Sequence, residues 1–345
     1  MIEVTKSDGQ DMSTLSLKKH GTGIVLEYGK VKLALDTGVQ GVTTLLSHSH
    51  TDHIGRLDRA DQVIGTKGTF DTFSARGGKL PAIRIIVEYQ QMTFLDGVNI
   101  TAINAGHVLG STMFLIEFEN DLRALFTGDF NVVDSIVHER ARPVKADVLI
   151  SEATYGSPSW IFPNRVETHD NIVKAAANSL AEGVNPLFSA YSLGKAQEVI
   201  ALLQDRGINV VSGNRSIDQV CKVYNHHGFD LKQVPITSKD LGDLIERGCA
   251  IVTSSPRHTE QHIRKMLGTV ESRAVMDRMR SYSLSGWTLG KFRQRGFPLS
   301  AHSDYRGLLE FAKGVDPKIV YCFTENAREF SGHLAEAGLN AVPLE

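Results

Sequence analysis

Hydrophobic and polar positions alternate with a period of two through the first third of the chain. The runs Gly23-Ile24-Val25-Leu26-Glu27-Tyr28 and Val31-Lys32-Leu33-Ala34-Leu35-Asp36 flank Gly29-Lys30, which predicts a β-hairpin. Further strands are predicted at 43–46, 83–87, 99–103, 113–118 and 122–126, each ending near Gly, Asn or Asp. After about Ser151 the apolar spacing lengthens. Ile172, Val173, Ala176 and Leu180 precede Gly183, and Ala196, Val199, Ile200 and Leu203 precede Gly207, so helices are expected there. Near the end, Ser303 is placed to cap a helix carrying Leu308, Leu309, Phe311 and Ala312 and stopping at Gly314. A strand over 318–323 and a last helix from about Glu325 follow. A β-rich layer, an α/β module and a return to mixed structure fit an insertion into one catalytic domain better than two domains in series.

Composition narrows the class without choosing a function. The 345 residues are 41% hydrophobic and 22% charged, enough to bury a sizeable core. No run of eighteen or more apolar residues occurs, and Met1 to Lys6 lacks the basic start and apolar stretch of a signal peptide, so the cytosol is the expected location. Cys221, Cys249 and Cys322 are far apart and match no paired zinc spacing, which turns the search for metal ligands to histidine and carboxylate.

The formal charge of −2 gives no overall attraction to nucleic acid. Its distribution is uneven: nine basic residues against three acidic ones between Arg257 and Arg295 leave that segment at +6 and the remainder at −8. Arg257, Arg278, Arg280, Lys291, Arg293 and Arg295, with Tyr282, Trp287 and Phe292 among them, are the candidate contacts to a nucleic-acid backbone and its bases.

The densest chemistry lies in Ser47-His48-Ser49-His50-Thr51-Asp52-His53, directly after an apolar strand. Neutral imidazoles and a carboxylate are ligand types that Zn²⁺ accepts, and four of them within six residues rarely serve packing alone. The same strand-end logic selects Asp36, His107 in Asn104-Ala105-Gly106-His107-Val108-Leu109-Gly110-Ser111, and Asp129 in Leu125-Phe126-Thr127-Gly128-Asp129-Phe130. Glycines beside His107 and Asp129 let the backbone approach a crowded centre.

Taken together, an Asp, the His-x-His-x-Asp-His signature, a His and an Asp in this order resemble the metallo-β-lactamase superfamily. The resemblance implies an αββα sandwich with two metal positions: His48, His50 and His107 at one, Asp52 and His53 at the other, Asp129 bridging, and Asp36 orienting the loop. Ser151-Glu152-Ala153-Thr154-Tyr155-Gly156, Asn164-Arg165-Val166-Glu167, Ser189-Ala190-Tyr191-Ser192-Leu193-Gly194-Lys195-Ala196-Gln197-Glu198 and Leu299-Ser300-Ala301-His302-Ser303-Asp304-Tyr305 are similar to successive motifs of the β-CASP nucleases. The likeness runs from about Gly21 to the C-terminus. It implies a metallo-β-lactamase domain over 1–155 and 296–345 with an inserted α/β β-CASP cap over 156–295.

The activity implied is hydrolysis of phosphodiesters in RNA or single-stranded DNA by a zinc-bound hydroxide, with Mn²⁺ as an alternative ion. Asp52, Glu152 and His302 are the expected catalytic residues. Glu152 would orient and charge His302, which would protonate the leaving oxygen.

One place departs from the family pattern. Where the third cap motif supplies a histidine to the second metal, this chain has Val320-Tyr321-Cys322-Phe323-Thr324-Glu325, and neither Phe323 nor Thr324 is a zinc ligand. Strand alternation aims Cys322 away from the side that Phe323 faces. A firm first zinc and a weaker second one are therefore expected. The family's DNA-specific branch also lacks this histidine, whereas the Ser300-Ala301-His302 and Leu193-Gly194-Lys195 stretches look more like the RNA-processing branch, and RNA is favoured.

An exonuclease of RNA processing is the leading expectation, with a partner or a homodimer supplying processivity. A DNA-repair exonuclease, an inactive subunit of a processing complex, and a thioesterase or lactonase are the alternatives. His20, His138, His169, His226, His227, His258, His262 and His333 lie in polar contexts without matching partners and read as surface or turn residues.

Overall fold

A computed structural model describes residues 14–289 and 296–344. They form two compact units, one from residues up to 133, 139–158 and from 302 onward, the other from 134–138 and 159–301.

The first unit opens with β1 (Ser16–His20), β2 (Gly23–Tyr28), β3 (Val31–Leu35), β4 (Thr43–Leu45) and β5 (Gln62–Gly65), then α1 (Lys67–Ala75) and β6 (Ile83–Ile86). There follow β7 (Met92–Leu95), β8 (Val98–Asn104), β9 (Thr112–Glu117), β10 (Arg123–Phe126) and β11 (Val148–Glu152). The second unit holds α2 (Arg165–Ala181), β12 (Asn185–Ser189), α3 (Lys195–Asp205), β13 (Val210–Ser212), α4 (Arg215–His226) and β14 (Val234–Pro235). It continues through α5 (Leu241–Arg247), β15 (Ala250–Thr253), α6 (Pro256–Leu267), α7 (Thr269–Asp277), β16 (Met279–Leu284) and β17 (Gly296–Phe297). The chain returns to the first unit with α8 (Tyr305–Val315), β18 (Ile319–Phe323), α9 (Ala327–Glu336) and β19 (Ala341–Pro343).

Strands β1 to β6 form one sheet in chain order, and a second runs β19-β18-β11-β10-β9-β8-β7. Period-two alternation explains how they stack. Ile24, Leu26, Leu33, Leu35, Leu45 and Ile64 of the first sheet meet Ile100, Ala102, Phe114, Ile116, Phe126, Ile150 and Tyr321 of the second in one core. The intervening positions of the second sheet, Met113, Leu115, Leu125, Leu149, Val320 and Cys322, face outward onto Leu308, Phe311 and Ala312 of α8 and Phe330 and Leu334 of α9. On the far side, Val63 packs with Phe70 and Phe73 of α1. The result is an αββα sandwich. Its central strands must be apolar on both faces, which is why β9, β10 and β11 read as unbroken apolar runs.

The second unit is a parallel sheet in the order β14-β13-β15-β12-β16-β17, with β12 flanked by β15 and β16. The helices between its strands are amphipathic. Ile217, Val220, Cys221 and Tyr224, for example, form the buried face of α4.

Helix α8 begins one residue later than Ser303 predicts. Asp304 is the cap, its Oδ1 accepting the Gly307 N–H at 2.8 Å, and α8 runs past Gly314 to end at Asp316 in a left-handed conformation. The Ser303 hydroxyl instead donates to the Phe130 carbonyl and accepts the Val132 N–H, both at 3.2 Å, tying the start of α8 to the loop after β10. Among the described residues, no helix is long and apolar enough to cross a membrane.

Candidate metal centre

Strand direction gathers the chemistry at one edge. β3 and β4 are parallel, β10, β11 and β18 are parallel, and β8 reaches the same sense as β10 through antiparallel β9. Asp36, the His48 loop, His107, Asp129 and Glu152 each lie at or just beyond the carboxyl end of one of these strands. Backbone crowding explains the glycines there. A side chain at Gly128, whose φ is +52°, would put Cβ 2.5 Å from Ser47 Cβ, and one at Gly106, φ +67°, would sit 2.7 Å from the Asn131 carbonyl.

His48, His50, His107 and Asp129 offer ligand atoms that all lie within 4.8 Å of one another. His48 Nε2 and His107 Nε2 stand 3.0 and 3.1 Å from His50 Nδ1, and Asp129 Oδ2 is 3.5 and 3.6 Å from the same two imidazole nitrogens. A tetrahedron of ligands about an ion held at zinc-like bond lengths has edges of about 3.3 Å, so the spacing of these donors fits a divalent metal. Burial, with the neighbouring imidazoles His53 and His107, holds His48 well below the usual histidine range, which keeps it neutral and available as a ligand.

Asp52, His53 and Asp129 form a second such group. His53 Nε2 lies 3.2 Å from Asp129 Oδ2 and 3.7 Å from Asp52 Oδ2. Asp129 therefore faces both clusters. Burial opposes charge on His53, yet Asp129 and Asp36 outweigh it and raise the imidazole well above its ordinary range. Burial likewise disfavours the Asp129 carboxylate, but His53, His302 and His48 hold it well below the usual range.

Behind these groups, Asp36 fixes the loop. Its Oδ1 accepts the Ser47 N–H at 2.7 Å, and its Oδ2 accepts the Ser47 hydroxyl at 2.5 Å and meets His53 Nδ1 at 2.7 Å. Ser47 Oγ also reaches His48 Nδ1 at 3.0 Å, so one buried Asp–Ser pair orients an imidazole in each cluster.

The second group has fewer buried donors than the first: the Asp52 side chain is 74% exposed. Phe323 pairs with Glu152 across β11 and β18, and its ring lies in the core against Phe126 at 5.6 Å. Thr324 takes a left-handed conformation, φ +78°, and its hydroxyl accepts the Ala153 N–H at 2.8 Å. Cys322 points to the opposite face, buried among α8 and α9, and burial pushes its thiol up to about 12. Neither Phe323, Thr324 nor Cys322 joins a cluster of metal-ligating groups among the described residues.

Glu152 and His302 meet although 150 residues separate them. His302 Nδ1 is 3.1 Å from both carboxylate oxygens, and Glu152 also accepts the Phe130 N–H at 2.9 Å. The opposite nitrogen, Nε2, lies 3.9 Å from Asp129 Oδ2 at the edge of the metal groups. Glu152 is fully buried while the imidazole is 19% exposed, so the carboxylate is hidden and the ring faces outward.

The basic segment fares differently. Arg257 stands in the first turn of α6, just past the carboxyl end of β15, whereas Arg278 and Arg280 lie at the amino end of β16, a parallel strand of the same sheet. Arg257 thus stands at one edge of that sheet and Arg278 and Arg280 at the other. Arg280 is paired with Glu182 at 2.6 Å, and Tyr282 packs between Phe188 and Phe297. Lys291, Phe292, Arg293 and Arg295 lie outside the described residues.

Among the histidines read as surface residues, His138 and His169 are half-buried, with partners inside the second unit. His138 Nε2 bonds the Tyr224 hydroxyl at 2.8 Å, and His169 Nε2 bonds Glu198 at 2.8 Å. Arg165 closes the Glu198 carboxylate from the other side, with Nε and Nη2 at 2.8 and 2.6 Å. Sequence reading passed over this cluster because its members are 29 and 33 residues apart. Arg165 and Glu198 were visible only as parts of motifs.

Comparison with known proteins supplies the context. The β-lactamase superfamily domain model matches residues 29–186. A probable DNA ligase of Opitutus terrae is 27% identical over 315 residues, 89% of this chain and 29% of that protein. Endoribonuclease YSH1 of Candida albicans is 26% identical over 210 residues, 52% of this chain and 24% of its own length. The cleavage and polyadenylation specificity factor subunit 3 of Dictyostelium discoideum is 34% identical over 121 residues, 34% of this chain and 15% of its own length. The chain thus spans less than a third of the length of these three relatives.

Proposed function

Because the chain carries a metallo-β-lactamase superfamily domain and has relatives consistent with the β-CASP nuclease branch, we propose that it is a metal-dependent nuclease hydrolysing phosphodiester bonds of a single nucleic-acid strand. The observation that carries this reading is the His302–Glu152 pair, set with His302 Nε2 toward Asp129. A thiolate departs without an acid of this kind, whereas the alkoxide released from a phosphodiester needs one.

In this reading His48, His50, His107 and Asp129 hold one ion, and Asp52, His53 and Asp129 hold the other. Zinc is the ion assigned, with manganese as the alternative. Bound metal would supply an acidified water and a counter-charge for the phosphoryl oxygens. The remaining work falls to side chains. Glu152 fixes the His302 tautomer through Nδ1, leaving Nε2 to give its proton to the departing oxygen. Asp36 and Ser47 keep two of the imidazoles aimed. With Phe323 and Thr324 in place of a third-motif histidine, the second ion is the weaker one.

The polymer is weighed on two observations. The Ser300-Ala301-His302 and Leu193-Gly194-Lys195 stretches favour RNA, as do relatives named endoribonucleases. A second reading, single-stranded DNA, is favoured by the extent of likeness: the relative named a probable DNA ligase aligns along 89% of this chain. Stepwise removal of terminal nucleotides is the mode we assign, with the cytosol as the setting.

One experiment decides among these. End-labelled RNA and single-stranded DNA of one sequence are incubated with the protein and Zn²⁺ or Mn²⁺, beside Asp52→Ala and His302→Ala. A ladder from one end that disappears in both variants is expected, and the preferred polymer is read from the rates. Cleavage surviving in both variants would remove the proposed site, and no cleavage of either polymer would favour a binding subunit.

A further inference from the structure

The turn between β12 and α3 is the most unusual polar feature outside the metal groups. β12 is an interior strand of a parallel sheet, and Ser189 to Lys195 leads from its carboxyl end into a helix. Anions bind at this place in open parallel sheets, because the first helical N–H groups and the helix dipole point into the turn. Gly194 takes φ +90°, a conformation that side chains resist, and its N–H is held by the Gln197 side chain at 2.8 Å.

Lys195 supplies the independent observation. It is the first residue of α3, where a cation opposes the helix dipole, and it is only 5% exposed. Among the described residues its ammonium meets no hydrogen-bond acceptor or ion-pair partner. Its contact is the face of the Tyr191 ring, 4.4 Å away and within the same turn. Glu198, one turn along the helix, does not neutralise it by contact, because both carboxylate oxygens are taken by Arg165 and His169.

A buried ammonium with three donors and no acceptor, at the positive end of a helix, is costly unless an anion completes it. Burial and the Arg165 charge bring the Lys195 amine down to about 8, against the pull of Glu198, so it still carries a proton at neutral pH. Tyr191 is 62% exposed, and its ring offers a stacking face beside the ammonium.

We propose that the Tyr191–Lys195 turn is a phosphate-binding site, with Lys195 and the N-terminus of α3 holding the oxyanion and Tyr191 the adjoining base. That the phosphate belongs to a nucleic-acid strand rests on the nuclease reading above. The phosphate chemistry itself does not.

The test separates the two. Inorganic phosphate is titrated into the metal-loaded protein while the backbone amide resonances of residues 194–197 are followed, in wild type and in Lys195→Met, which keeps the apolar stem. Saturable shifts in wild type that vanish in the variant are expected. The variant should melt no lower than wild type, since only an unpaired buried charge is removed. Labelled oligouridine and oligothymidine binding is then measured under chelation, so that cleavage does not intervene. Lys195→Met should bind either strand roughly tenfold more weakly, with the salt dependence reduced by about one phosphate.

Amide resonances that ignore phosphate would overturn the site whether or not the protein is a nuclease. Phosphate shifts without strand binding or cleavage by wild type would uphold the site, assign it to free phosphate or a mononucleotide, and remove the nuclease reading. Unchanged strand affinity in Lys195→Met, with wild-type cleavage intact, would overturn the strand as the source of the phosphate.

Discussion

Replacing Arg165 by methionine should unfold the second unit more easily by roughly 3 kcal/mol, and the structure gives the reason twice over. Glu198 is 2% exposed and Arg165 12%, with two hydrogen bonds joining them at 2.8 and 2.6 Å. Removing one partner of such a buried pair strands a charge and costs about 3–5 kcal/mol. Separately, burial works to raise the Glu198 carboxyl, but Arg165 and His169 hold it down at about 2, against an ordinary value of 4.5. At about 1.4 kcal/mol per pKa unit, that shift corresponds to roughly 3 kcal/mol.

His169 remains bonded in the variant, so the lower end of the range applies. Because the folded carboxyl is depressed, its contribution is complete above the unfolded value near 4.5 and is lost as pH falls toward 2. Urea unfolding followed by tryptophan fluorescence isolates the effect. The chain has two tryptophans, Trp160 and Trp287, which lie in the second unit with ring centroids 4.7 Å apart. Arg165→Met combined with Glu198→Gln should recover more than half of the loss, since the stranded charge is gone. A single-variant loss below about 1 kcal/mol at pH 7, or no recovery in the double variant, would refute a buried charge pair as the support of this unit.

Other expectations follow from the same packing and electrostatics. Gly128→Ala should cost at least about 2 kcal/mol and weaken metal retention, because the added methyl meets Ser47 where Asp36 anchors it; unfolding and metal content report the two effects. Dialysis against a chelator should leave about one metal per chain, and two that both survive would contradict the weaker Asp52–His53 position. His138 is partly buried, and burial lowers it to about 4 although Glu198 pulls the other way. An imidazole kept neutral by the fold makes stability fall as pH drops below about 6.5 toward 4, by about 1 kcal/mol at pH 5 after allowing for partial exposure; in His138→Asn that part of the slope should vanish.

The clustering of His48, His50, Asp52, His53, His107 and Asp129 was legible because signature and strand pattern share one cause. Ligands on a short loop after an apolar strand stay neighbours in space, and period-two alternation told which face of β18 Phe323 and Cys322 would take. For the basic segment from Arg257 to Arg295, a count along the chain does not distinguish the two ends of a parallel sheet. Arg257 follows its strand and Arg278 precedes its own. Ser303 and Asp304 are both capping residues, and a distant carbonyl, that of Phe130, decides between them. The pairing of Arg165, Glu198 and His169 carried no local signal, since motif membership does not tell which residues meet until α2 and α3 pack together.

Glu152 and His302 stand where the chain leaves the first unit and where it comes back. His48, His50, Asp52, His53, His107 and Asp129 precede that departure, and His302, the proposed proton donor, follows the return. A nascent chain synthesised only as far as residue 158 would already own the ligands for an ion but no acid to pair with it. On the proposed reading, metal capture and catalytic competence would be separated in time during synthesis, the second awaiting completion of everything in between.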